Sequence, residues 1–137
     1  MDVRGDTGIY VRGDRERLRQ VLVNLLENAC DALADCRERR ITVDVQSENG
    51  SASLAVSDSG PGAQPEVLSR IFEPFFTQKA KGTGLGLAIV KRTIDAHGGR
   101  IAAAAAAGSG LCVRIELPPI GSAEAPASIR STTPEPS

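Results

Sequence analysis

The sequence predicts a single domain of the α+β class, on three observations. Residues 14–33 repeat their apolar side chains at intervals of 3 and 4, the period of a helix buried along one face. Two pairs of short runs, each pair linked by a glycine-containing turn, read as antiparallel hairpins. The chain has 137 residues, 41% of them apolar and 24% charged, which is one domain's worth of material with enough length to bury a core.

The elements follow in order. A short strand is expected around Ile9-Tyr10-Val11, then a turn at Gly13-Asp14 with Asp14 as a helix N-cap. The helix carries Leu18, Val21, Leu22, Leu25, Leu26, Ala29 and Leu33 on its buried face. Beside them Asn24, Asn28, Asp31 and Asp35 form a second stripe. A solvated face or a ligand site would both produce it, although Asn is a poor helix former compared with the Lys, Glu or Arg that usually fill such faces. Strands at residues 41–45 and 53–57 flank Asn49-Gly50, a two-residue hairpin signal. The second runs into Asp58-Ser59-Gly60-Pro61-Gly62, which is either an ordinary Asp-Gly turn or a carboxylate at a strand end with glycines that admit a ligand. Pro65 opens a short helix reaching Ile71-Phe72, and Phe72-Glu73-Pro74-Phe75-Phe76 gathers all three phenylalanines.

The polar stretch Thr77-Gln78-Lys79-Ala80-Lys81 leads into Gly82-Thr83-Gly84-Leu85-Gly86-Leu87, which opens a helix through Ala88, Ile89, Val90 and Ile94 that stops at His97-Gly98-Gly99. Glycines at a helix N-terminus expose backbone N–H groups at the positive end of the dipole, an anion site in waiting. This is neither a Walker A loop, lacking Gly-Lys-Ser/Thr, nor a Rossmann fingerprint, whose glycine spacing differs. Residues 101–107 include six consecutive alanines, helix by propensity. A run of seven between two glycine stops is too short for an unaided helix, and it precedes the alternating run Val113-Arg114-Ile115-Glu116-Leu117, so a strand paired with 111–117 is expected. From Pro118 the chain holds five of its eight prolines and reads as a flexible tail, residues 118–137, after a domain at 1–117.

Composition narrows the function. Sixteen Lys and Arg against 17 Asp and Glu leave a formal net charge of −1, without the basic surplus of a nucleic-acid binder. No apolar stretch is long enough to span a membrane, and residues 1–6 do not begin a signal peptide. Cys30, Cys36 and Cys112 form no CxxC pair, and the one histidine, His97, completes no zinc site. The three thiols are expected to be reduced, in a cytoplasmic protein.

Taken in order, NLLENACDAL (24–33), DSGPG (58–62), FEPFF (72–76) and GTGLGLAIV (82–90) resemble the N, G1, F and G2 boxes of the ATP-binding domain of sensor histidine kinases, part of the wider group with gyrase, Hsp90 and MutL-type ATPases. The resemblance covers residues 9–118. It implies a two-layer α/β sandwich, a mixed and mostly antiparallel sheet packed on a helical layer, with ATP between them under a lid. It also implies roles. Asn28 corresponds to the asparagine that coordinates Mg²⁺ on the phosphates, and Asn24 lies alongside the triphosphate, both at the catalytic end. Asp58 corresponds to the aspartate that accepts the adenine amino proton, with Gly60 and Gly62 shaping the pocket. Gly82, Gly84 and Gly86, with Thr83 and Leu85 between them, correspond to the glycine box that meets the phosphates, and residues 77–81 to a short lid. A neutral amide oxygen suits a hard cation already held by phosphate oxygens.

The departures are specific. Asp31 stands where many relatives carry a lysine, so Lys79 or Lys81 is expected to supply the positive charge. Leu111-Cys112 replace the small hydroxyl residues that often follow the last glycine motif. Asn24 stands where gyrase- and MutL-like relatives have a glutamate that activates water, which argues for transfer to a protein over hydrolysis. The family's phosphoacceptor histidine sits on a separate dimerisation domain, and His97 is expected to be structural. The chain therefore reads as a catalytic module with a response regulator as indirect partner and without nucleic-acid or membrane contact, its parent kinase membrane-anchored or not. An anti-sigma-type serine kinase and a non-catalytic ATP-gated interaction module are the alternatives. The FEPFF box and the form of the G2 box favour the histidine kinase.

Overall fold

A computed structural model describes residues 1–5, 9–48, 50–76, 85–106 and 109–119. Helix α1 spans Arg15–Ala32 and begins as its sequence requires: the Asp14 carboxylate accepts the N–H groups of Glu16 and Arg17 at 3.0 and 3.2 Å, satisfying two donors of the first turn. Val21, Leu25, Ala29 and Leu33 are buried, while Leu18 and Leu26 pack against the core from its margin. Leu22, assigned to the buried face by its spacing, is 39% exposed, because the contact stripe is the narrower i, i+4 row. Asp35 lies past the helix end, so three of the four polar-stripe residues share α1.

Strands β2 (Ile41–Glu48) and β3 (Ser51–Asp58) form the expected hairpin, with Glu48 opposite Ser51. Gly50 takes φ +84° in the two-residue turn, a conformation that favours glycine. Strand β4 (Arg100–Ala105) pairs antiparallel with β5 (Leu111–Leu117). The alanine run is therefore a strand over residues 102–105, tertiary pairing having overridden propensity. A strand β1 at Asp2–Gly5 lies parallel to β2, and the sheet order is β1-β2-β3-β5-β4. The strand expected at Ile9–Val11 is not one: these residues join no strand, and Val11 packs against the core from a loop.

Helix α2 is one turn, Pro65–Leu68, shorter than expected; Ile71 and Phe72 follow in turns and still pack on the core. Phe75 has φ +66° and is 75% exposed, and the Arg70 guanidinium stacks 4.7 Å from the centre of the Phe76 ring. Helix α3 spans Gly86–Ala96 and ends as the His97-Gly98-Gly99 stop predicts. Gly98, at φ +74°, donates to Asp95 O and Gly99 to Ile94 O, which is a Schellman cap.

The core lies between the sheet and the helices. Val43, Val56, Val113 and Ile115 from the sheet meet Val21, Leu25 and Ala29 of α1 and Val90 and Ile94 of α3. This is the two-layer sandwich with a mixed, mostly antiparallel sheet. No helix among the described residues is long and apolar enough to cross a membrane, and the three cysteines are unpaired.

Candidate functional site

Asp58 ends β3 inside the protein, 5% exposed. Its Oδ1 accepts the Gly60 N–H at 2.9 Å and the Leu111 N–H at 3.3 Å. Its Oδ2 has no hydrogen-bond partner among the described residues. No fully buried side-chain nitrogen or oxygen there is left unpartnered, so Oδ2 is open to a donor from outside. The turn after Asp58 is held tightly. A Cβ on Gly60 would sit 2.9 Å from the Ala32 carbonyl oxygen of α1 and 3.0 Å from Asp58 Oδ1. Gly62, at φ +76°, approaches the Gly110 carbonyl.

Asn24 lies half-buried on α1, two turns before Ala32. Its amide nitrogen donates to the Gly86 carbonyl at 3.3 Å, and its oxygen accepts from Gln20 Nε2 at 2.8 Å. Asn28, one turn further on, shares that side of the helix. The N-cap residue of α3, Leu85, makes no side-chain cap bond, unlike Asp14 of α1, so the Leu85 side chain leaves the N–H groups of that first turn to other acceptors. Space around the Gly86 Cα is open. Along α1, Asn24 and Ala32 are about 12 Å apart at 1.5 Å per residue. That helix joins the carboxylate end of the site to the α3 end.

The structure therefore brings Asn24 to Gly86, Asp58 to Gly60 and Leu111, Gly60 to Ala32 of α1, and Gly62 to Gly110. Lys79, Lys81, Gly82, Thr83 and Gly84 lie outside the described residues. Sequence reasoning missed two contributors, Ser109, whose hydroxyl donates to Gly60 O at 3.0 Å, and the main chain of Leu111. Their partners are about fifty positions earlier in the chain, beyond the reach of any periodicity.

His97 is elsewhere. It is 1% exposed; Nε2 accepts the Asp14 N–H at 3.0 Å and Nδ1, which must then carry the hydrogen, donates to Thr93 O at 2.8 Å. A Cβ on Gly13 would fall 2.6 Å from the imidazole Cδ2. The ring is a joint between the start of α1 and the end of α3.

Residues 13–120 match the profile of the histidine kinase-, DNA gyrase B- and HSP90-like ATPases, and the chain belongs to that family. Within it, the similarity is to histidine kinases. The chain is 45% identical to the sensor histidine kinase ZraS of Klebsiella oxytoca over 109 residues, 79% of this chain and 23% of that protein. It thus spans about a quarter of that relative's length. The nucleotide-free catalytic domain of histidine kinase ThkA superposes with a TM-score of 0.77 at 35% identity, covering 86% of this chain and 78% of that one. ThkA has also been solved in complex with the response regulator TrrA (TM-score 0.72, 32% identity, 86% and 33% coverage). Full-length ShkA in complex with AMPPNP matches at TM-score 0.66 and 30% identity, with 85% and 25% coverage. This fold is that of a histidine kinase catalytic domain.

Proposed function

We propose that this domain binds Mg-ATP along α1, with adenine at Asp58 and the phosphates at the start of α3, and donates the γ-phosphoryl group to a histidine on a separate dimerisation domain in two-component signalling. The observation that carries the reading is the half-used carboxylate of Asp58. One oxygen is fixed by two main-chain donors, and the other faces outward as an acceptor suited to an exocyclic amino group. The N-terminus of α3, whose N-cap Leu85 offers no side-chain acceptor, suits phosphate oxygens, and α1 spaces the two ends to fit a nucleoside triphosphate.

The donor set also fits magnesium. The described residues hold no cluster of three or more His, Cys, Asp or Glu, so a cation here draws its ligands mainly from phosphate oxygens and water. Mg²⁺ is typically bound in that way, with one or two protein oxygens; Asn28 is the proposed ligand. When bound, the ion neutralises triphosphate charge. Asn24 holds the first turn of α3 against α1, Gly82, Gly84 and Gly86 give main-chain donors, and Lys79 or Lys81 adds positive charge. In the reaction an imidazole nitrogen of the acceptor forms a P–N bond as the bond from the γ-phosphorus to the β,γ-bridging oxygen breaks, and ADP leaves. The domain's contribution is positioning and charge neutralisation.

In this reading the ATP-binding domain occupies residues 1–117, residues 118–137 are a tail, and the domain works in the cytoplasm with a response regulator downstream. The test has two parts. Calorimetry should show binding of Mg-ADP to the chain. Labelled ATP should then label an added dimerisation domain of a similar sensor kinase, and Asn28→Ala should abolish that transfer. Absence of nucleotide binding overturns the proposal.

A further inference from the structure

We infer that Ser109 is a positioning residue for the base end of the site, holding the 58–62 turn in the shape that presents Asp58 Oδ2 to adenine. The inference rests on the nucleotide reading above. Two segments meet here, the turn after β3 and the residues that open β5. Most of their contacts are main-chain ones that any sequence with glycines in the right places could make. Gly60 N–H and Leu111 N–H reach Asp58 Oδ1, and Gly62 lies against the Gly110 carbonyl. Gly110 takes φ +99° so close to the Asp58 carbonyl that a Cβ would fall 1.9 Å from its oxygen.

Ser109 adds a side chain. Its Oγ lies 3.0 Å from Gly60 O and 3.5 Å from Ser59 O. Gly60 is buried, and the Ser109 hydroxyl is the hydrogen-bond donor to its carbonyl among the described residues. Removing that donor leaves the carbonyl of a buried residue without its protein partner, which favours a turn that swings toward water. The Gly60 N–H moves with the turn, and Asp58 Oδ1 loses one of the two donors that set the plane of the carboxylate. Ser109 itself is exposed and contributes little to the core, so its effect falls on carboxylate orientation, with little on stability.

The experiment measures ADP and IDP binding by calorimetry for the wild-type chain, Ser109→Ala and Ser109→Thr. IDP replaces the adenine amino group with a carbonyl and gains nothing from a well-aimed Oδ2. Ser109→Ala should lower ADP affinity about fivefold, the worth of one net hydrogen bond, and should lower IDP affinity less. Ser109→Thr, which keeps the hydroxyl, should restore both the affinity and the ADP-over-IDP preference. Unchanged ADP affinity in Ser109→Ala overturns the inference alone. Equal proportional losses for both nucleotides together with a lower thermal midpoint show a merely structural role and also overturn it. A wild-type chain that binds neither nucleotide overturns the nucleotide reading and this inference with it.

Discussion

Leu111 donates its main-chain N–H to Asp58 Oδ1 across 3.3 Å, so the opening residue of β5 orients the carboxylate that closes β3. An asparagine at position 58 can keep this arrangement. Its oxygen takes the Leu111 and Gly60 donors, and its NH₂ then stands where Oδ2 was, facing an incoming amino group donor to donor. Asp58→Asn should therefore leave the thermal midpoint nearly unchanged and reduce ADP affinity more than about tenfold, since two donors are left without acceptors in a desolvated contact. Calorimetry alongside a melt checks both halves. Wild-type affinity in this variant removes Asp58 from base recognition.

Two glycines near the site should respond to alanine with opposite signs. Gly110→Ala puts a Cβ against the Asp58 carbonyl oxygen at a φ that L-residues rarely adopt, and should cost at least about 2 kcal/mol. Gly86→Ala places its methyl in open space at the first helical position of α3, and should be neutral or stabilise by about 0.5 kcal/mol. Urea denaturation of the two variants tests the pair.

His97 should behave as a structural joint. His97→Ala leaves a cavity and strands the Asp14 N–H, while the Thr93 carbonyl keeps the main-chain N–H of residue 97, with an expected loss of about 3 kcal/mol by urea denaturation. Incubation of the wild-type chain alone with labelled ATP should place no acid-labile phosphate on this ring, which is sealed and has both nitrogens engaged. Label on His97 contradicts the assignment.

The β4 edge allows a sharper test of register. Ala106 donates to Gly110 O at 3.0 Å, and antiparallel alternation then turns Ala104 and Ala102 toward β5 and Ile101, Ala103 and Ala105 off the edge. Proline is tolerated on an edge strand where the lost N–H faces solvent. Ala103→Pro should cost at most about 1 kcal/mol, and Ala104→Pro about 3 kcal/mol through its lost ladder bond. Similar losses for the two variants would mean that the register is wrong.

Local signals made most of the fold legible. The i, i+4 core of α1, the Asn49-Gly50 turn, the glycine stop after His97 and the alternation over 113–117 each arise within a few residues. Strand β1 was invisible because Asp2–Gly5 has four exposed residues without an apolar face; its pairing with β2 is all that makes it a strand. Ile9 and Val11 misled for the converse reason, being apolar and alternating yet outside the sheet, with Val11 packed against the core. Within the site, Asp58 and Gly60 were legible from their own turn. The Ser109 hydroxyl, the Leu111 N–H and the fit of Gly13 to His97 depend on contacts made at long range, which no window along the chain contains.

Helices α1 and α3 run antiparallel and are tied at two places of unequal strength. At one end a buried imidazole is wedged between Asp14 and Thr93; at the other, a half-exposed amide reaches the Gly86 carbonyl across 3.3 Å. Any tilt of α3 against α1 would have its fulcrum at the shorter and fully buried tie, His97. Gly86 lies eleven residues from that fulcrum, about 16 Å at 1.5 Å per residue, so a tilt of about 5° shifts the first turn of α3 by about 1.4 Å while the ring barely moves. That travel is half the length of a hydrogen bond, enough to make or break the Asn24 contact with the Gly86 carbonyl. The mechanical advantage of the helix pair would then lie at Gly86.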